Sequence, residues 1–279
     1  MYRRPAGSTE LNPMKKATGK PMAAIPPRYM AGMTARNDRR VGDVKAVLAE
    51  LERLGSKRLR ENMSKRFGIH TDKAWGVMMR DMQQVAKAIG TDHALAQQLW
   101  KSGWYEARIV ATMIADPMKV TPKEMDAWCT DFDNWAICDT ACFKLWDQVP
   151  HAWDKVAVWA KSEQEFVKRA AFALLACLSL HRNDADPKAL KKFLPLVKKA
   201  ASDERNFVKK GVSWALRGMA GTGTELRDDV MDLAEQLANS TNAAERWVGK
   251  DVLRDIKRPL IAKRVEKRET KRTNRTKKH

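Results

Sequence analysis

Trp135 and Asp139 are the two residues whose types and spacing could together perform chemistry. They lie four positions apart in Asn134-Trp135-Ala136-Ile137-Cys138-Asp139. In a helix this spacing puts the indole and the carboxylate on one face, one turn apart. A flat aromatic ring beside an anionic oxygen suits a flat ligand that carries positive charge. The pair also has a plainer interpretation, with Trp135 in the core and Asp139 as a helix cap or dipole partner.

Apolar residues recur at intervals of three and four along most of the chain, which is the spacing of an amphipathic helix. We therefore expect the pair to be held in place by helices. The pattern starts with Val44, Val47, Leu48, Leu51 and Leu54, and it continues to about Ile256 with short Pro or Gly joints. No segment shows the alternation that is typical of a strand. The sequence therefore predicts an all-α fold.

A repeat of about 40 residues runs through the second half of the chain. Ser162–Ala170 is echoed by Asp203–Gly211, so that Phe166 corresponds to Phe207 at an offset of 41, and a weaker echo follows at Trp247. A period near 40 with two helices in each unit is typical of HEAT-like solenoids. The repeat predicts a concave surface lined by the second helix of each pair.

Two successive repeats carry a basic pair at the same point, Lys168 with Arg169 and Lys209 with Lys210. A cation in the first helical turn is mildly unfavourable unless an anion binds there. Basic pairs at solenoid spacing would form a stripe that follows a phosphate backbone. The alternative is that these side chains are simply solvated helix starts.

The net charge of +19 resides almost entirely in the two ends of the chain. Residues 1–40 have a net charge of +7 and residues 254–279 a net charge of +9, which leaves +3 for the region between them. Any basic surface in the central region must therefore be a local face. We divide the chain into a flexible basic arm (1–40), a HEAT-like repeat domain (41–257) and a basic tail (258–279).

Composition also limits the compartment and the cofactors that we expect. The four cysteines do not make a disulfide framework, and buried apolar thiols are favoured over a metal site. The chain has no signal-like apolar segment and no run of 18 apolar residues, so we expect a cytoplasmic protein outside the membrane. The basic arm leaves an organelle transit peptide as an alternative. The tail is interpreted as either a non-specific DNA arm or a solubilising or localising segment.

Several motifs occur in one order across residues 43–256. They are the helical repeats, Phe67-Gly68-Ile69-His70-Thr71, Trp135-x-x-x-Asp139, Phe166-Val167-Lys168-Arg169 and Phe207-Val208-Lys209-Lys210-Gly211-Val212-Ser213-Trp214-Ala215-Leu216-Arg217. Together they resemble the DNA alkylation repair family of HEAT-like-repeat DNA glycosylases. The residue after Trp135 is Ala136, where many members of that family carry a polar residue.

The resemblance implies excision of N3- or N7-alkylated purines from double-stranded DNA, without a metal or an organic cofactor. It implies that Asp139 is the catalytic carboxylate, that Trp135 and Trp214 are aromatic residues of the same cleft, and that Arg169 meets the DNA backbone. The full set of predicted DNA-binding residues is Arg169, Lys168, Lys209, Lys210 and Arg217. We expect a monomer. The alternative function is a non-catalytic HEAT-like module that binds nucleic acid or serves as a protein scaffold.

Overall fold

A computed structural model describes residues 43–181 and 186–276 of the chain. Within these ranges the backbone forms α-helices and one 3₁₀ turn, and it contains no β-strand. The prediction of an all-α fold is therefore confirmed. The predicted N-terminal arm lies outside the described residues. In the described part of the chain, no helix has the combined length and apolar character needed to cross a membrane.

The helices are short and follow one another with brief connections. Their bounds are α1 Val44–Arg53, α2 Lys57–Phe67, α3 Met79–Ile89, α4 His93–Lys101, α5 Tyr105–Ile114, α6 Pro122–Thr130, α7 Trp135–Lys144, α8 Ala152–Trp159, α9 Glu165–His181, α10 Pro187–Lys191, α11 Leu194–Ala200, α12 Asn206–Ala220, α13 Thr224–Ala238, α14 Ala243–Ile256 and α15 Pro259–Thr276. The 3₁₀ turn spans Trp146–Gln148, between α7 and α8.

Five of the helices from α5 onward form one continuous row, with one helix between neighbours except between α9 and α12, where α10 and α11 intervene. In this row α5 packs against α7, α7 against α9, α9 against α12, and α12 against α14. The intervening helices cover the row, since α8 packs on α9 and α13 packs on both α12 and α14. Helices α9 and α12 begin at Glu165 and Asn206, and that spacing is the 41-residue repeat seen in the sequence.

Helix α9 is the centre of the core. It is contacted by α6, α7, α8 and α12, and its residues from Ala170 to Ser179 are all buried. A helix that is apolar on every side must be surrounded by other elements, because any exposed face would leave apolar surface in water. Near its ends, Glu165, Phe166 and Lys168 at the start and Leu180 and His181 at the end are partly or fully exposed, whereas the middle of α9 is enclosed.

The cysteines belong to this core. Cys129, Cys138, Cys142 and Cys177 are all buried free thiols. Burial raises the pKa of Cys129, Cys142 and Cys177 well above the usual range. A thiol with a raised pKa keeps its proton at neutral pH, so these side chains act as small packing groups.

The connection between α2 and α3 is held by a buried carboxylate. Glu106 of α5 accepts hydrogen bonds from the backbone N–H groups of Trp75, Gly76 and Val77, at 2.7–3.2 Å. Gly76 has a φ of +79°, and a β-carbon there would lie 2.5 Å from the backbone of Ser56 and Arg60. Three amide donors around one carboxylate replace the water that Glu106 loses on burial.

We expect Glu106→Gln to lower the free energy of unfolding by about 1–3 kcal/mol, because the amide group would place a donor opposite the donor of Trp75. Urea denaturation followed by circular dichroism measures the change. Glu61→Gln, on the exposed side of α2, is the matched control and should leave stability nearly unchanged. Equal stabilities of the two variants would contradict the role of Glu106.

Candidate active site

Asp139 and Arg169 form a two-pronged ion pair between adjacent helices of the row. Arg169 Nε donates to Asp139 Oδ1 at 2.9 Å, and Arg169 Nη2 donates to Asp139 Oδ2 at 2.7 Å. Each residue is the fifth of its helix, Asp139 in α7 and Arg169 in α9. The planar guanidinium matches the planar carboxylate, which fixes the orientation of both groups.

The same guanidinium extends the contact to the next helix. Arg169 Nη1 donates to the backbone oxygen of Phe207 at 2.7 Å, and its Cζ lies 5.9 Å from the centre of the Phe207 ring. The rings of Phe166 and Phe207 are 5.3 Å apart, so the equivalent aromatic residues of two repeats pack together. Arg169 therefore connects the beginnings of α7, α9 and α12.

The N-cap residue Asn134 sets where α7 begins. The side chain of Asn134 is buried and accepts hydrogen bonds from the backbone N–H groups of Ala136 and Ile137, each at 3.0 Å. Asn134 is the N-cap, so Asp139 lies beyond the first turn and does not cap the helix. An Asn directly before the apolar run was the available signal for this start.

The carboxylate of Asp139 keeps a partial opening to solvent. Its side chain is 20% exposed, whereas that of Arg169 is 7% exposed. Burial raises the pKa of the Asp139 carboxyl above its ordinary value, and the charge and hydrogen bonds of Arg169 oppose that rise. Burial lowers the pKa of Arg169, and Asp139 more than compensates, so that the net pKa of the guanidinium is raised. The site is thus a half-enclosed anion attached to a buried cation.

Trp135, one turn before Asp139, is half-buried and points its indole N–H at the end of α2. Trp135 Nε1 donates to the backbone oxygen of Phe67 at 2.8 Å. Phe67 is the last residue of α2 and is 53% exposed, and Gly68 ends the helix in a left-handed conformation with a φ of +62°. Phe67 is an exposed aromatic residue beside the predicted site that spacing alone did not identify.

Trp214 lies on α12 and is separated from α7 by α9. Lys210, Trp214 and Arg217 share one face of α12, since they are spaced four and three residues apart. Trp214 is half-buried and packs against the core, and Arg217 Nε donates to the backbone oxygen of Ser213 at 3.3 Å. Of Trp135, Asp139, Arg169 and Trp214, only Asp139 and Arg169 touch each other among the contacts described.

Lys210 is the exposed cation beside the ion pair. Partial burial, followed by the charges of Arg169 and Lys209, lowers the pKa of its ammonium, and the charge of Asp251 opposes this shift. Within the described residues it forms no hydrogen bond or ion pair of its own. Lys210 therefore adds positive potential next to Asp139 and remains available to an anion.

The other two predicted basic residues contact neighbouring repeats. Lys168 Nζ lies 3.2 Å from Asp203 Oδ2, with both side chains largely buried. Lys209 Nζ lies 5.5 Å from the centre of the Trp247 ring, which is a cation–π distance. Lys168 and Lys209 occupy the same position in successive repeats, and each contacts a residue of the following repeat. The sequence had indicated either phosphate binding or solvation for these lysines.

Comparisons with known proteins place this geometry in context. A family model described as DNA alkylation repair enzyme matches residues 47–241. One similar solved structure comes from a new family of proteins related to the HEAT-like repeat DNA glycosylases, with affinity for branched DNA structures. It is 22% identical, with a TM-score of 0.64, and the match covers 76% of this chain and 94% of that chain. The predicted HEAT-like helical-repeat fold is confirmed by this likeness.

A second solved structure is a designed armadillo repeat protein in complex with the peptide (KR)4. It is 11% identical with a TM-score of 0.35, and the match covers 68% of this chain and 82% of that chain. No curated protein matches the chain significantly.

We expect Arg169→Ala to lower the free energy of unfolding at neutral pH by about 3–5 kcal/mol, because it leaves the Asp139 carboxylate without its buried partner. Urea denaturation between pH 4 and pH 7 measures the loss. A carboxyl whose pKa is raised by folding favours the folded state at low pH, and this contribution is lost as pH rises through the raised pKa. Arg169→Ala removes the charge and the hydrogen bonds that oppose this rise, so the pKa of Asp139 should rise further in the variant, and its deficit relative to the parent should grow as pH rises above 3.8.

The double variant Arg169→Ala with Asp139→Asn is the control, since it removes the unpaired charge and should restore part of the stability at pH 7. A deficit that is independent of pH and unaffected by Asp139→Asn would show that Arg169 stabilises the fold only through packing and its bond to Phe207.

Proposed function

The chain belongs to the DNA alkylation repair enzyme family, and on that premise we propose that it is a DNA glycosylase that excises positively charged N3- or N7-alkylated purines. The observation that carries the proposal is the half-enclosed carboxylate of Asp139, oriented by Arg169 and partly open to solvent. The reaction is hydrolysis of the N-glycosidic bond, and it starts base excision at the damaged nucleotide.

The chemistry of a cationic purine makes one carboxylate sufficient. When the bond between the base and C1′ breaks, its electron pair neutralises the positive charge of the purine, so the base leaves without needing a proton. The sugar becomes oxocarbenium-like and gains positive charge, which a fixed anion stabilises. Water then adds to C1′ and releases its proton to the carboxylate or to solvent.

The hydrogen-bond inventory of Asp139 is compatible with this role. Each carboxylate oxygen has two lone pairs, and each accepts one hydrogen bond from Arg169. One lone pair on each oxygen remains, and the exposed fraction of the side chain allows a water molecule or a sugar to approach. The carboxylate can therefore keep its ion pair while it orients water.

We assign Arg169 primarily a positioning role. Three of its five N–H groups bond to Asp139 and to the carbonyl of Phe207, which leaves two for any phosphate contact. Its small exposed fraction favours holding Asp139 over reaching the DNA backbone. Lys210, which is exposed beside the pair, is better placed to bind a phosphate.

The two tryptophans complete the proposed cleft. Trp135 shares the face of Asp139 on α7, and Trp214 shares the face of Lys210 on α12. An indole face attracts cationic or partly cationic groups and packs against a deoxyribose. The bond from Trp135 to Phe67 fixes the indole of Trp135, so that little rotamer entropy is lost on binding.

A second candidate is a protein that binds branched DNA without excising a base. The observation that favours it is that both oxygens of Asp139 are already engaged by Arg169, so the pair has a structural role of its own. The similar solved structure belongs to proteins with affinity for branched DNA structures. Base release separates the two candidates, because only the glycosylase needs a reactive carboxylate.

We expect Asp139→Asn to reduce release of 3-methyladenine and 7-methylguanine from methylated duplex DNA by at least about 100-fold, because it removes the anion that stabilises the sugar. Mass spectrometry of the released bases measures the rate, and binding of undamaged duplex should be retained. Asp154→Asn, on the exposed side of α8, is the matched control and should keep full activity.

Undiminished release by Asp139→Asn would exclude the assigned role. No release from the parent protein, together with tighter binding to a four-way junction than to a linear duplex of equal length, would favour the second candidate.

We expect Lys210→Gln to lower the slope of log affinity against log salt by about 0.9 for undamaged duplex DNA, because one phosphate contact is lost. Fluorescence anisotropy at several salt concentrations measures the slope. Lys168→Gln is the matched comparison, and its slope should change less because its ammonium is already paired with Asp203. The reverse order of the two effects would exclude Lys210 as the principal phosphate contact.

A further inference from the structure

The basic C-terminal segment contains a helix, α15, that is hydrogen-bonded to the C-terminal ends of two helices of the row, α9 and α12. Arg268 donates to the backbone oxygens of Ser179, Leu180 and Gly221, which belong to the C-terminal ends of α9 and α12. Glu269 accepts from the backbone N–H of Thr224 at the start of α13. These bonds satisfy groups that helix ends leave unpaired, and they fix the rotation of α15 about its axis.

With that rotation fixed, four cations of α15 face solvent among the side chains that the structure describes. Ile261 and Val265 are buried on the inner side, and Lys263, Arg264, Lys267 and Lys271 are all exposed. At 100° per residue, these four cations, which we call the basic face, lie within about 100° of the helix circumference. Lys263 and Lys271 are about 12 Å apart along the axis. In the described part of the chain, none of the four forms an ion pair or a hydrogen bond with another side chain.

The basic face is unfavourable for the isolated protein. Lys263, Lys267 and Lys271 are spaced at i and i+4, and like charges at this spacing destabilise a helix. The acidic residues of α15 offset little of the repulsion, because Glu269 bonds to Thr224 and Glu266 lies about 60° outside the basic face, within reach of Lys263 alone among the three lysines. Such a row is favourable when it meets a polyanion, whose binding releases counterions.

We propose that the basic face of α15 binds the phosphate backbone of DNA and forms a second contact surface, separate from Asp139 and Arg169. Leu180, where α15 is anchored, is 11 residues beyond Arg169 on α9, which corresponds to about 16 Å along the helix. The two surfaces thus lie toward opposite ends of α9. The inference takes its DNA partner from the proposed function but does not depend on base excision.

A membrane surface fits α15 less well than DNA does. A helix that lies in a membrane interface must offer a continuous apolar face to the acyl chains. The apolar residues Ile261 and Val265 are buried against the protein, and Leu260 is the exposed large apolar residue of this helix. Lysines four residues apart on an exposed helix face without apolar neighbours favour a charged partner such as the phosphate backbone over the acyl chains of a membrane.

The test replaces Lys263, Lys267 and Lys271 together by Gln in the full chain and measures binding to undamaged duplex DNA at several salt concentrations. We expect the slope of log affinity against log salt to fall by about 2.7, since each lost phosphate contact contributes about 0.9. The charge-conserving triple Lys→Arg variant should retain the parental slope. Adding Glu266→Lys to the triple Gln variant restores two of the three lost charges at a position about 60° outside the basic face, and the slope should stay below that of the parent.

Circular dichroism and thermal unfolding verify that the variants fold, and single-turnover base release at saturating protein concentration reports the chemistry separately. An unchanged slope in the triple Gln variant would overturn the proposal even if base release is observed. A lowered slope would sustain it even if the protein releases no base. Loss of binding to phosphatidylserine vesicles with unchanged DNA binding would overturn it in favour of a membrane partner.

Discussion

The ion pair between Asp139 and Arg169 is the interaction on which the arrangement of the central helices depends. A buried guanidinium is tolerated only if its N–H groups are bonded, and here a carboxylate of α7 and a carbonyl of α12 supply the partners. One side chain of α9 therefore links three neighbouring helices of the row, α7, α9 and α12. Apolar packing alone would tolerate small sliding between them, whereas a planar two-pronged contact tolerates little.

The same contact gives the site its chemical character. A carboxylate exposed to water would be mobile and well solvated, and a fully enclosed one would be protonated or inaccessible. Asp139 lies between these limits, because burial and Arg169 act on its pKa in opposite directions and its side chain keeps a partial opening. Structural stability and a preoriented anion thus follow from one geometry, which is why the pair can serve a glycosylase or a purely binding protein.

Basic residues at equivalent repeat positions make different contacts. Arg169 pairs with the preceding helix of the row, Lys168 with Asp203, and Lys209 with the ring of Trp247, whereas Lys210 stays exposed. Helix polarity also distinguishes the N-terminal ends of the helices in the row from their C-terminal ends. Arg268 of α15 meets the carbonyl groups at the C-terminal ends of α9 and α12, where a cation is favoured by the helix dipole.

The helices and their repeat could be predicted from the sequence because both are encoded locally. Apolar spacing of three and four residues, a polar residue before a helix start such as Asn134, and the 41-residue echo of Phe166 at Phe207 each lie within one stretch of chain. The face that Trp135 shares with Asp139 follows from the same periodicity.

The side-chain partners were decided by the tertiary structure alone. Asp139 and Arg169 are 30 residues apart, and Arg268 reaches Leu180 across 88 residues. Whether two such groups meet depends on the rotation and axial offset of packed helices. The spacing of apolar residues along one helix does not determine either quantity. The sequence therefore indicates which residues could do chemistry, and the packing of α7, α9, α12 and α15 selects the ones that act together.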